Sequence, residues 1–252
     1  MKRQLRIVSA VLVAAFALAL PQAAHAGLIT VFFSDMDNPV VVSPGVVAVT
    51  SEPGAALESV QGYSAIAGFS GHFLRQPTSG VLSVSLSNLP AHDSVDINFL
   101  LAVIDSWDGT DPTFGPDLIN LRADGTLLFS DEFAFFGDPA VYSAPAGGKL
   151  TPGPPYPHLG FNGTYPDQAY NMGLEPSLLF PHTASTLLIE IFASGAGFQG
   201  GNDESFALEN FQVVVNTPAG PAVPEPASLF LVGTGVAGLV AKARRRRKQQ
   251  IQ

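Results

Sequence analysis

The chain has 252 residues, no cysteine and a formal net charge of −9, with its acids concentrated centrally: residues 27–222 hold twenty of the twenty-one Asp and Glu, but only Arg75, Arg122 and Lys149 of the twelve Lys and Arg. This balance argues against nucleic acid as a partner, because phosphate binding needs clustered positive charge, and is compatible with cations or with neutral, hydroxyl-rich ligands such as glycans. Lack of cysteine excludes a thiol nucleophile, thiolate metal ligands and disulfide staples, so an exported domain of this composition relies on packing or bound metal for stability.

The N-terminus reads as a secretory signal peptide over residues 1–26. Lys2, Arg3 and Arg6 form a positive n-region, Ile7 to Leu20 an apolar h-region, and Ala24-His25-Ala26 an A-x-A cleavage site for signal peptidase. Pro21 cuts the apolar run short, which argues against a permanent anchor. His25 lies inside the cleavage motif and needs no further role.

Residues 27–222 follow a different grammar, with short alternating segments punctuated by Gly, Pro, Asn and Asp. Strands are expected at Leu28 to Phe33, Val46 to Thr50 and Ser64 to Phe69. Val81 to Ser87 places Leu82, Val84 and Leu86 on one face and serines on the other, the signature of a half-buried strand. Ser94 to Ile104 carries Val95, Ile97, Phe99, Leu101 and Val103 on one face. Its other face turns apolar at Leu100, Ala102 and Ile104, which places this strand centrally in its sheet. Leu118 to Arg122, Thr126 to Phe129, Thr186 to Phe192 and Phe211 to Val215 complete the set. Turn signals at Asp108-Gly109, Asp124-Gly125 and Asn162-Gly163, with no sustained helical period, predict an all-β ectodomain, a jelly-roll-like β-sandwich.

Residues 137–182 break the pattern with nine prolines, and only Val141 to Ser143 and Leu178 to Phe180 look extended. A long insertion of this kind is a binding loop or a mobile flap. Tyr142, Tyr156, Phe161, Tyr165 and Tyr170 form either an aromatic platform for sugar rings or, the favoured reading, packing that holds the loop to the sandwich.

Two acidic loops carry whatever chemistry the domain has. One runs from Asp105 through Trp107-Asp108-Gly109 to Gly115-Pro116-Asp117, and the other from Gly201 to Asn210. If they meet at one end of the sandwich, Asp105, Asp108, Asp117, Asp203 and Glu204 supply hard oxygens of the type calcium selects, though with no EF-hand spacing. The plainer alternative is that these acids start turns or stay solvated. Calcium is the only cofactor suggested. Glu209-Asn210 interrupts the alternation between Leu208 and Phe211, which marks a bulge or a strand start, and Trp107, the only tryptophan, is either a core plug, the favoured reading, or a ligand-stacking ring. Catalytic motifs are missing: Gly68-Phe69-Ser70-Gly71 fails the nucleophile elbow, no H-E-x-x-H occurs, and His72, His92, His158 and His182 show no metal-ligand spacing. The chain is therefore read as non-enzymatic.

The tail, residues 223–252, has three parts. Pro224-Glu225-Pro226 is an extended, protease-accessible entry. Residues 227–241 are an uncharged run expected to form a single transmembrane helix, roughly 22 Å long against a ~30 Å hydrocarbon core, spanning with help from snorkelling bases. Residues 242–248 are basic, and Arg244, Arg245, Arg246 and Arg247 act as a positive-inside stop. This order and spacing resembles the PEP-CTERM sorting signal of Gram-negative bacteria. The resemblance implies recognition by a membrane protease-transpeptidase of the exosortase type and cleavage near the Pro-Glu-Pro motif. The implied route is transient anchoring in the inner membrane with the ectodomain in the periplasm, then delivery to the cell surface or beyond.

Both acidic loops are also similar to segments of the β-sandwich ectodomains that accompany such tails, with Phe206 standing where tryptophan is more typical. The resemblance implies a structural or exopolysaccharide-contacting component of the extracellular matrix or biofilm. The alternatives are a secreted carbohydrate-active enzyme or a carbohydrate-binding module using the same route.

Overall fold

Alternation at period two puts one face of each strand into the core and the other outward, and the computed structural model shows two sheets built on this rule. It describes residues 26–59, 68–135, 142–151 and 165–218, together with Thr234. In chain order the strands are β1 (Gly27–Ser34), β2 (Val41–Val42), β3 (Val47–Ser51), β4 (Ala56–Ser59), β5 (His72–Gln76), β6 (Leu82–Ser87), β7 (Ser94–Asp105), β8 (Leu118–Ala123), β9 (Thr126–Glu132), β10 (Gln168–Asn171), β11 (Leu179–Pro181), β12 (Thr186–Ser194) and β13 (Glu204–Thr217). Two 3-10 turns, Met172–Leu174 and Pro176–Leu178, precede β11.

The larger sheet has the order β10-β7-β13-β1-β2, with β11 also on β7 and with β5 joining β13 to β4; the smaller has the order β3-β6-β12-β8-β9. From β2 onward the chain crosses repeatedly from one sheet to the other, the jelly-roll-like arrangement expected of an all-β sandwich. Val95, Ile97, Leu101 and Val103 of β7 and Phe206, Leu208, Val213 and Val215 of β13 meet Leu82 and Leu86 of β6, Ile119 and Leu121 of β8, and Leu187, Ile189 and Ile191 of β12 in one buried cluster. The outer face of the larger sheet is also covered locally, where Ala102, Ile104 and Ala207 pack with Phe69, Phe73 and Ala169. This covering explains why β7 turns apolar on both faces towards its C-terminal end.

The β7–β13 ladder depends on one irregularity. Glu209 pairs with Leu100 and Gln212 with Asn98, so β13 spends one more residue than β7 over this stretch. Asn210 takes up the slack at φ 52°. A one-residue slip would turn every following side chain to the wrong face. With the bulge, Phe206 and Leu208 before it and Phe211, Val213 and Val215 after it all point into the same core. The interruption at Glu209-Asn210 is thus a bulge within a strand that begins at Glu204, not the start of one.

Other expectations need correction. Phe69 lies in no strand and Ser64 lies outside the described residues; the nearby strand is β5, whose Arg75 and Gln76 are buried. The Arg75 guanidinium donates to Ser205 Oγ and to the Gly201 carbonyl, each at 2.8 Å. Tyr142 and Ser143 are irregular rather than extended. The proline-rich segment is not a bare loop, since it supplies β10. Tyr142 and Tyr170 are buried against Phe133, with ring centroids 4.8 and 5.2 Å from it, so they serve as packing and not as a sugar platform. Tyr165 meets Phe135 edge-on at 5.1 Å. Tyr156, Phe161, His158 and the Asn162-Gly163 turn lie outside the described residues. Asp124-Gly125 forms the β8–β9 hairpin turn, with φ 49° and 78° as a type I′ turn requires.

Glu209 is almost wholly buried and accepts the Ser70 N–H with both carboxylate oxygens, at 3.2 and 3.1 Å. Burial pushes its carboxyl up to about 8 from 4.5, with Asp37 and Asp35 adding repulsion and the Ser70 N–H opposing. Between these values the folded chain holds a proton that the unfolded chain has released. The stability linked to Glu209 is therefore complete below pH 4.5 and lost as pH rises through about 8. Glu209→Gln is expected to flatten this decline and to be the more stable form at about pH 9, by on the order of 1–2 kcal/mol. Urea unfolding near pH 5 and near pH 9 checks it, and an unchanged pH slope would count against the assignment.

Candidate metal centre

The first acidic loop begins with a backbone reversal. Asp105, the last residue of β7, adopts φ 68°, outside the region that strands occupy. Its carbonyl accepts the Trp107 N–H at 2.9 Å, and the Ser106 N–H goes to the Asp203 carbonyl at 2.9 Å. The reversal drops the Trp107 ring into the core, fully buried, with Nε1 donating to the Ser205 carbonyl at 2.8 Å and the Phe198 ring 5.6 Å away. Trp107 is thus a core plug and not a ligand-stacking ring.

With Trp107 fixed, the residues after it curl back. Asp108 bridges to Ala134, and its N–H donates to Asp117 Oδ2 at 2.7 Å. Asp111 Oδ1 accepts the Thr113 and Phe114 N–H groups at 2.7 and 3.0 Å, which closes the turn between them. Gly115-Pro116 is cis. Gly197 presses so closely on this turn that a Cβ there would collide with the Phe114 carbonyl. Glu204, opposite Asp105 in the β7–β13 ladder, opens β13 and accepts the Gln199 N–H on Oε2 at 2.5 Å.

The result is a group of three acids, Asp108, Asp117 and Glu204, with one oxygen from each lying within 4.8 Å of the others. Asp117 and Glu204 are fully buried. Burial raises Asp117 to about 6, with the Asp108 N–H opposing and the Asp108 charge adding to it. Burial likewise raises Glu204 to about 8, against the Gln199 N–H and with the help of Asp117, Asp108 and Asp203. Asp117 Oδ1 is buried and has no hydrogen-bond partner.

Three of the five acids expected at this end are therefore brought together. The other two stand outside the group. The Asp105 N–H donates to Asp167 Oδ1 at 2.9 Å, and Asp203 Oδ1 accepts the Ser106 hydroxyl at 2.8 Å. Nothing in the spacing of the histidines anticipates a further cluster, in which His92 Nε2 lies 2.7 Å from His182 Nδ1 and His182 Nε2 lies 3.1 Å from Asp124 Oδ2.

Ala24, Pro224, Glu225, Pro226 and Arg244 to Arg247 lie outside the described residues, as does the helix expected over residues 227–241; Ala26 is exposed and immediately precedes β1. Among the described residues, no helix is long and apolar enough to cross a membrane. The tail is decided by comparison with known families, because residues 222–247 match the PEP-CTERM protein-sorting motif. The chain carries a PEP-CTERM sorting signal. It is accordingly an exported protein with a membrane-anchored C-terminal sorting tail, processed by an exosortase.

No curated protein matches the chain. Among solved structures, it is similar to a family 35 carbohydrate binding module from Clostridium thermocellum at 12% identity, covering 75% of this chain and 98% of that one with a TM-score of 0.31. Dimeric latent PorU from Porphyromonas gingivalis matches at 13% identity over 79% of this chain and 14% of that one, with a TM-score of 0.34. The CBM22-2 xylan-binding domain of Xyn10C from Paenibacillus barcinonensis matches at 11% identity, 73% and 99% coverage, and a TM-score of 0.27.

Trp107→Ala is expected to destabilise the domain by about 3–5 kcal/mol, the usual cost of emptying a large buried aromatic site. Trp107→Phe should cost less, chiefly through the orphaned Ser205 carbonyl. Chemical denaturation of the two variants measures both, and near-wild-type stability of Trp107→Ala would show that the ring does not hold the loop.

Proposed function

We propose that this protein is a non-catalytic component of the extracellular matrix, delivered to the cell surface by exosortase processing, with the acidic sandwich as the delivered cargo and exopolysaccharide as its surroundings. The PEP-CTERM motif at residues 222–247 is the observation that carries this reading. One crevice between the sheets offers about 50 Å³, too little for a substrate, and is lined mainly by apolar residues such as Phe32, Leu74, Leu82, Ile191 and Phe211. Small-molecule sites are typically ~300–1,000 Å³ with convergent polar groups.

In this reading the tail is a temporary handle, with the Pro-Glu-Pro motif marking the point of cleavage and the arginines fixing orientation. Glu225→Ala, or deletion of Arg244 to Arg247, should cause a longer, membrane-retained form to accumulate in the producing cell. Immunoblots of membrane, surface and medium fractions follow the outcome. Normal maturation of both variants would remove the sorting part of the proposal, whereas normal sorting with no effect of the missing protein on matrix integrity would remove the matrix part.

A further inference from the structure

We propose that Asp108, Asp117 and Glu204 form a binding site for one calcium ion that ties the two sheets together at this end of the sandwich. The inference is independent of the sorting reading. It starts from Asp117, whose carboxylate has no accessible surface. One of its oxygens takes the Asp108 N–H at 2.7 Å, and the other, Oδ1, has no hydrogen-bond partner. Leaving a buried charge-bearing oxygen unmatched is costly, and a fold does so where something else supplies the partner.

The surroundings say what kind of partner is missing. Glu204 is equally buried, and neither it nor Asp117 has an ion-pair partner among the described residues. Only N–H groups approach their carboxylates, from Asp108 to Asp117 and from Gln199 to Glu204. An anionic ligand would aggravate the repulsion and an apolar one would leave it unmet, whereas a cation relieves it.

Donor chemistry narrows the cation. All three side chains present oxygen, with no histidine or cysteine in the group, so a hard ion is favoured over zinc or copper. Calcium–oxygen bonds run to about 2.3–2.6 Å, so two ligands of one ion can stand up to ~5 Å apart; the three oxygens lie within 4.8 Å. Magnesium holds its waters and usually takes only one or two carboxylates, so a set of three carboxylates suits calcium better. Asp108 is partly exposed, which leaves a side open for entry and for the waters that would complete a six- to eight-fold shell.

Placement gives the ion its work. Asp108 follows β7 and Glu204 opens β13, both in the larger sheet, while Asp117 immediately precedes β8 of the smaller one. An ion held by all three joins the sheets where the β7–β8 connection leaves the core, a role that a disulfide could play in another exported domain.

The test uses the full chain solubilised in detergent and stripped with a chelator. Terbium, a calcium surrogate, should luminesce on indole excitation, because Trp107, the only tryptophan, adjoins Asp108. Calcium should quench the signal by displacement with saturable, single-site behaviour, and should raise Tm above that in chelator. Asp117→Asn and Glu204→Gln should each weaken binding roughly tenfold or more, because each removes a charged ligand. Both should melt in chelator at or above the natural chain, since each removes a buried charge, whereas exposed Asp93→Asn should behave as wild type. Should either buried variant fail to fold, the partly exposed Asp108→Asn provides the same reading. Identical melting in calcium and chelator, an absence of saturable terbium signal, or unaltered binding by the variants would overturn the site. An equal response to the same concentration of magnesium would overturn its assignment to calcium.

Discussion

The pairing of β7 with β13 is the contact on which the other features depend. These are the two longest strands, of 12 and 14 residues, and they lie side by side in the middle of the larger sheet. Each must keep one face against the smaller sheet from end to end, but Glu209 breaks the apolar alternation of β13. The bulge at Asn210 resolves the conflict by adding a residue without moving the inward face. Its cost is a buried carboxylate, met in part by the Ser70 N–H. The bulge lets a single strand bury Phe206 and Leu208 on one side of it and Phe211, Val213 and Val215 on the other.

The same pairing determines where the acids lie. Since Glu204 is opposite Asp105 in the ladder, the end of β7 and the start of β13 open at one edge of the sandwich. Asp105 then reverses the backbone, Trp107 fills the gap beneath, and Asp108 is carried to Asp117. Carboxylates distant in sequence converge because apolar packing puts them there, and the electrostatic repulsion among them is imposed by the fold. In the proposed site, a bound calcium ion would convert that repulsion into a constraint between sheets. Such an ion would also suit an exported chain without cysteine, which has no covalent staple to call on.

Legibility in the sequence followed the range of the physics involved. Strict alternation revealed β6, β7 and β12, because a half-buried strand writes its two faces into successive residues. β5 escaped for the converse reason: Arg75 and Gln76 look like surface residues, and partners mostly remote in sequence, among them Ser205, Gly201, Glu58 and Pro53, make their burial tolerable. The bulge was visible as a local break in pattern, and Trp107 as the kind of residue a core takes in. The two acidic loops were recognisable as a pair, but the division of their acids was not. Whether Asp105 or Asp108 turns towards Asp117 depends on a positive φ at the end of β7. His92 and His182 carry no joint signal, since ninety residues separate two side chains that end in contact.

The contrast between tail and sandwich has the same origin. A sorting signal is read by another protein while the segment is extended, so its information has to lie in consecutive residues: a Pro-Glu-Pro entry, an uncharged run and a basic stop, in that order. A family pattern can therefore match it over only 26 of the 252 residues. A site assembled by folding faces no such demand. Asp108, Asp117 and Glu204 become neighbours only through a strand register, a bulge and a buried indole, and other residues could achieve each of these. The tail is thus legible by comparison and the cargo by structure, which is why the chain announces its route in consecutive residues and discloses its chemistry only when folded.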